Sequence, residues 1–190
     1  MDEQDQTECR LIAAIAQADL EAFERLHRRY DKRVFQYAYS FLRDRTVAEE
    51  VAIDTMMAVW HGAVDFQGRS RVSTWILGIA RHKALDAVRA RSRPSSQVSI
   101  EEAMHLGDGS PGPAETLAAG QQAALTRQAL AMLSADHQEI LRLVFYEELP
   151  YEEIASLLRI PTNTVKTRVY YAKQRLKQAF EQRALVEVAE

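Results

Sequence analysis

Apolar residues recur at spacings of three and four through most of this chain, the pattern of helices buried on one face. Residues 11–42 read as helix on Leu11, Ile12, Ile15, Leu20, Phe23, Leu26, Tyr30, Val34, Tyr37 and Phe41, with a break near Ala18 and Asp19 as N-cap. Thr46-Val47-Ala48-Glu49 matches a capping box, which predicts a new helix to about Trp60. That helix buries Val47, Val51, Met56, Val59 and Trp60 and keeps Glu49, Glu50 and Asp54 polar-side out. Gly62 and Gly68 make residues 61–71 a loop. Residues 73–90 are then helical, with Trp75, Ile76, Ile79, Ala80, Leu85 and Val88 inward.

The character changes at residues 93–120, which hold Pro94, Pro111, Pro113, several Gly and Ser, and no basic residue after Arg93. This composition predicts an acidic linker, interrupted by a short helix at 100–106. Helical spacing resumes with Leu125, Ala129, Leu130 and Leu133. Ser134 is an N-cap with Asp136 in the first turn, and Ile140, Leu141, Val144 and Phe145 point inward. Pro150 starts a helix at 151–158, residues 159–161 turn, and a second helix runs from 162 to about 180 with Val165, Val169, Ala172 and Leu176 inward. That spacing is a helix-turn-helix. The expected fold is all-α: two small helical domains, 1–93 and 121–190, joined by a flexible acidic linker, 94–120.

Composition and motif content adjust this picture in four ways. With 190 residues and 47% hydrophobic content the chain can bury real cores. Its start, MDEQDQTECR, lacks the basic and apolar blocks of a signal peptide, and no run approaches a membrane span, so a cytoplasmic protein is expected. Cys9 is the sole cysteine, which excludes an internal disulfide and gives no metal-ligand spacing. Paired carboxylates, a nucleophile with its base and a phosphate-binding glycine loop are all missing, so neither an enzyme nor a cofactor or metal is expected.

Charge is segregated. The formal net charge is −3, yet residues 69–93 carry Arg69, Arg71, Arg81, Lys83, Arg89, Arg91 and Arg93 against the single acid Asp86. Such a row can neutralise successive phosphates, and Trp75 can either stack on an unpaired base or pack. In the helix after 162, the major groove would meet Lys166 and Thr167, with Tyr170, Tyr171, Lys173 and Arg175 on neighbouring faces.

Together these residues resemble the extracytoplasmic-function sigma factors of bacterial RNA polymerase, over about residues 11–180. The most specific stretch is Phe66-x-Gly68-Arg69-Ser70-x-x-x-Thr74-Trp75-Ile76-x-x-Ile79-Ala80-Arg81-His82-Lys83-x-x-Asp86-x-x-Arg89, similar to the family's promoter-melting and minus-ten segment. Glu49-Glu50-Val51 through Val59-Trp60 resembles the helix that binds the polymerase clamp. Tyr151-Glu152-Glu153-Ile154-Ala155 with Thr164-Val165-Lys166-Thr167-Arg168 resembles the minus-thirty-five reader.

The resemblance implies roles for particular residues. Glu50, Ile53, Asp54, Met57 and Trp60 would dock on the largest polymerase subunit. Arg69, Ser70, Arg71, Trp75, Arg81, His82, Asp86 and Arg89 would serve the minus-ten element, the arginines on phosphates and His82 and Asp86 on base edges. Asn163, Thr164, Lys166, Thr167, Arg168, Tyr170, Tyr171 and Lys173 would serve the minus-thirty-five element, while the helices around 133–145 meet the flap of the second-largest subunit. It implies a promoter-specificity subunit, with core RNA polymerase, promoter DNA and an anti-sigma factor as partners. Ile53, His82, Asn163 and Tyr171 depart from the family's frequent Gln, Asn, Gly and Arg. Two other readings compete: a sigma-mimic decoy that sequesters an anti-sigma factor, and a dimeric helix-turn-helix regulator that leaves residues 69–93 unexplained.

Overall fold

The computed structural model describes residues 3–91, 126 and 129–187, and among these it contains helices and turns and no strand. The expected linker, its short helix at 100–106 and Leu125 lie outside the described residues. Two compact units partition the rest: residues up to 91 with 149–160, and residues 126–148 with 161–187.

In the first unit α1 (Glu3–Ile15), α2 (Leu20–Leu42), α3 (Arg45–Gly62) and α4 (Val72–Arg91) pack together, with a 3-10 turn at Ala63–Asp65 and α6 (Tyr151–Leu158) against α4. Asp19 caps α2 as expected, its Oδ1 accepting from the Ala22 N–H at 3.0 Å. The chain reverses there through Ala18 at φ 63. The first helix begins at Glu3 rather than Leu11. Two acids in its first turn complement the helix dipole, and Asp5 and Glu8 are buried, which apolar periodicity could not show.

The capping box at Thr46 does not form. Asp44 caps α3 instead, accepting from the Val47 N–H at 3.0 Å, while Glu49 is drawn to Arg45 at 2.8 Å and is no longer available to close a box. Asp44 also receives Arg91 Nη2 at 2.6 Å, which ties the end of α4 to the start of α3. The Val47 N–H, then Arg91, hold its carboxyl below the usual aspartate range. α3 continues through His61 and Gly62, so the expected loop shrinks to the turn at 63–65 and residues 66–71. Gly62 is needed for closeness: a Cβ there would lie 3.3 Å from Trp75 Cζ2.

The inward face of α4 also differs from the expected one. Val72, Ile76, Leu77, Ala80 and Ala84 are buried, Leu85 is half-buried and Val88 is exposed. Small side chains at 80 and 84 let α4 approach its neighbours, and Ala84 joins the cluster of Ala38, Leu42, Ala48 and Val51.

In the second unit α5 (Ala135–Phe145) packs on α7 (Thr162–Glu187). Ser134 caps α5, its Oγ accepting from the His137 N–H at 3.4 Å. Ile140, Leu141 and Leu143 are buried on α5, and Val165, Val169, Ala172 and Ala179 on α7. Phe145, expected inward, is 57% exposed; its ring lies 4.9 Å beneath Lys173 Nζ, a cation–π contact that Phe can make at the surface. Leu143 takes the inward place. Between α6 and α7 the chain turns through Arg159 at φ 56, whose N–H returns to α6 carbonyls, so both ends match the expected helix-turn-helix boundaries. The later helix runs beyond 180, to Glu187.

Candidate nucleic-acid interface

Helix α4 presents its polar side away from Ile76, Leu77, Ala80 and Ala84, which places Arg81, His82, Lys83, Asp86 and Arg89 on its remaining faces. Several cations of this helix and of the loop before it are already matched by acids. Arg71 Nε lies 3.3 Å from Asp5 Oδ2 and 3.4 Å from Glu153 Oε1, and Lys83 Nζ lies 3.6 Å from Asp54 Oδ2. Glu153 also accepts from the Thr74 hydroxyl. His82 Nδ1 is 3.0 Å from Asp86 Oδ2, and Asp86 Oδ1 accepts from Arg89 Nη1 at 2.9 Å. Arg69 is exposed on the loop, and Arg81 and Ser70 are half-buried. Gly68, at φ 65, provides the left-handed turn that carries Arg69 and Ser70 into α4.

Trp75 is half-buried, with its ring centroid 4.9 Å from that of Phe66 and its edge on Gly62. The structure brings it to protein packing. Asp5 and Glu153 were not among the expected site residues. Their pairing with Arg71 joins segments far apart in sequence, which no local spacing encodes.

The buried carboxylate of Glu8 holds α1 to α2. Tyr30 donates to Glu8 Oε2 at 2.7 Å, and Arg29 Nε lies 3.2 Å from Glu8 Oε1. Burial, then the bond to Glu8, pushes the Tyr30 phenol far above its ordinary value, so it stays a donor at any ordinary pH. Burial and the neighbouring Asp5 and Glu8 also push the Cys9 thiol up, which disfavours a reactive thiolate.

On α3 the structure separates the expected polymerase contacts. Glu50, Ile53, Asp54 and Met57 face solvent, Ile53 at 62% and Met57 at 49% exposure. Trp60 is half-buried, edge-on to Phe23 at 5.2 Å and 75°. An isoleucine and a methionine one turn apart and open to water form an apolar patch flanked by acids.

On α7, Asn163, Lys166, Thr167, Tyr170, Tyr171 and Lys173 are exposed and Thr164 and Arg168 half-buried. Thr167 donates its hydroxyl to the Asn163 carbonyl at 2.9 Å, and Arg168 Nη1 pairs with Asp136 Oδ2 of α5 at 3.1 Å. The rings of Tyr170 and Tyr171 meet edge to face at 5.5 Å. Val165, Val169 and Ala172 turn into the unit, which leaves these polar and aromatic groups as the outer surface.

These surfaces correspond to two sequence families. Residues 26–94 match Sigma-70 region 2 and residues 123–176 match Sigma-70, region 4. RNA polymerase sigma-H factor of Pseudomonas aeruginosa is 28% identical over 94% of this chain and 95% of its own length. ECF RNA polymerase sigma factor RpoE of Cereibacter sphaeroides is 29% identical over 84% of this chain and 87% of its own. Among solved structures, CnrH in complex with the cytosolic domain of CnrY shares the fold, with a TM-score of 0.65 at 23% identity over 97% of this chain and 99% of that one. RpoE of Bartonella quintana, in complex with the anti-sigma factor NepR, gives 0.63 at 25% identity over 84% and 96%. With region 2 on α2 to α4 and region 4 reaching through α5 and α6 into α7, the chain belongs to the extracytoplasmic-function sigma factors, regulatory DNA-binding proteins of bacterial transcription initiation.

Proposed function

We propose that this chain binds core RNA polymerase and directs initiation at promoters it selects through two elements. Helix α3 meets the clamp of the largest subunit through Glu50, Ile53, Asp54 and Met57, with Trp60 supporting it from the Phe23 side. The loop and helix from Arg69 to Arg89 melt and read the minus-ten element, where Arg69, Arg71, Arg81 and Arg89 meet phosphates. Helix α7 reads the minus-thirty-five element from the face that carries Lys166, Thr167, Tyr170, Tyr171 and Lys173, and residues 133–145 meet the polymerase flap. Residues 1–93 and 121–190 are the two functional domains, with 94–120 as their connection, and the protein acts in the cytoplasm.

The observation that carries this reading is the Ile53 and Met57 pair, exposed on the helix of region 2 where a soluble fold gains nothing from bare apolar surface. The named complex of the similar RpoE supports an anti-sigma partner for this chain also. The test is transcription in vitro: purified chain, core polymerase and a library of random upstream sequences. Transcripts should share a two-box motif and disappear when Arg69, Arg71 and Arg81 are all replaced by Ala. Core binding without initiation would point to a decoy, and dimeric duplex binding without core binding to an ordinary regulator.

A further inference from the structure

We infer that Asp86 does not read a base itself but positions His82, whose Nε2 accepts a hydrogen bond from an N–H of one minus-ten base. The inference rests on the promoter reading above and assigns separate roles to two residues expected to act alike. His82, Asp86 and Arg89 stand at i, i+4 and i+7 on α4, so their side chains share one helical face. Asp86 Oδ2 lies 3.0 Å from His82 Nδ1, and its Oδ1 accepts from Arg89 Nη1 at 2.9 Å.

An ionised carboxylate has no proton to give, so the bonded Nδ1 must carry one. In the neutral imidazole Nε2 is then the acceptor, and the side chain is 71% exposed, so that nitrogen is available to a nucleic acid. Arg89 holds the carboxylate from its other oxygen and offsets a charge that would otherwise repel the phosphate backbone. Exposed pairs of this kind add little to helix stability, so their effect here is orientation and tautomer. On the major-groove edge of a base the amino donors are adenine N6 and cytosine N4, and in a melted strand guanine N2 is open to the same nitrogen.

Two measurements on the full chain test this. The first is the imidazole nitrogen NMR spectrum of His82. The wild type should show the Nδ1–H form, and Asp86→Ala should shift the population toward Nε2–H. A wild-type His82 already in the Nε2–H form would overturn the proposal whatever the promoter assay gives. The second is library transcription with His82→Ala, Asp86→Ala and the double variant. Each single variant should relax preference at the same minus-ten position by about fivefold, the low end for a base contact, and the double variant by no more than either. Effects at different positions, or multiplying in the double variant, would show Asp86 reading a base of its own. A wild type that selects no promoter at all would sink the promoter reading and the base contact together, whereas retained selection with an unchanged His82 position would sink the base contact alone.

Discussion

Helices α4 and α7 both carry an excess of basic residues, and they expose that charge in different ways. Along α4 and its preceding loop, Arg71, Lys83, Arg89 and Arg91 each lie beside a carboxylate, two of them contributed by α3 or its cap. On α7, Lys166, Thr167, Tyr170 and Tyr171 project from a surface where the described ion pairs are Arg168 with Asp136 and Lys177 with Glu181. A phosphate approaching α4 competes with internal acids, whereas one approaching α7 mostly displaces water. The formal charge of a helix therefore does not by itself set its affinity, and the field at each surface depends on the acids folded next to it.

The largest expected effect tests how α4 is seated. Leu77→Ala should cost about 2–5 kcal/mol in chemical denaturation, as a fully buried leucine does, while Leu85→Ala on the half-buried side should cost less than about 1 kcal/mol. Equal losses would mean that the inward face has been misplaced.

Asp44→Ala should follow at about 0.5–2 kcal/mol, because it removes the α3 cap and the Arg91 partner together. The folded carboxyl titrates below its unfolded value, so its contribution is complete above the unfolded range and disappears as the pH falls through the folded one. The stability gap between wild type and variant should thus hold at neutral pH and narrow below about pH 4. A gap that widened in acid would contradict the assignment.

Gly68→Ala should cost about 1 kcal/mol, since a Cβ at φ 65 is strained even though space around it is open. The loss should appear in minus-ten strand binding before it appears in duplex binding by α7. The smallest effect sharpens the charge contrast: Lys166→Ala should lower the salt slope of minus-thirty-five duplex binding by about 1, and Arg89→Ala should lower that of minus-ten strand binding by less, because Asp86 already neutralises part of its charge.

Much of this was legible in the sequence because it is local. Asp19, Ser134 and the helix at 151–158 follow from caps, proline placement and spacing, and the structure puts them where they were read. What escaped was long-range or competitive. Thr46 and Glu49 satisfy a capping box on paper, but Asp44 precedes them and Arg45 claims the glutamate. Leu77 and Ala84 displaced Leu85 and Val88 from the inward face of α4, where the small side chain at 84 decides how near the helices come, and a hydrophobicity pattern undervalues alanine. The family motif includes Glu153 but not its pairing with Arg71, and it does not reach Asp5 or Glu8, because these partners are set by tertiary packing.

The buried Glu8 bears on where this protein can be cut. The region 2 match begins at residue 26, inside α2, yet Tyr30 is fully enclosed with α1 in place and its hydroxyl is spent on Glu8. A fragment started at the family boundary would bare that phenol and the aliphatic side of α2 in the same stroke. Such a truncation is expected to yield soluble material poorly, because residues 3–25 are part of the folded body.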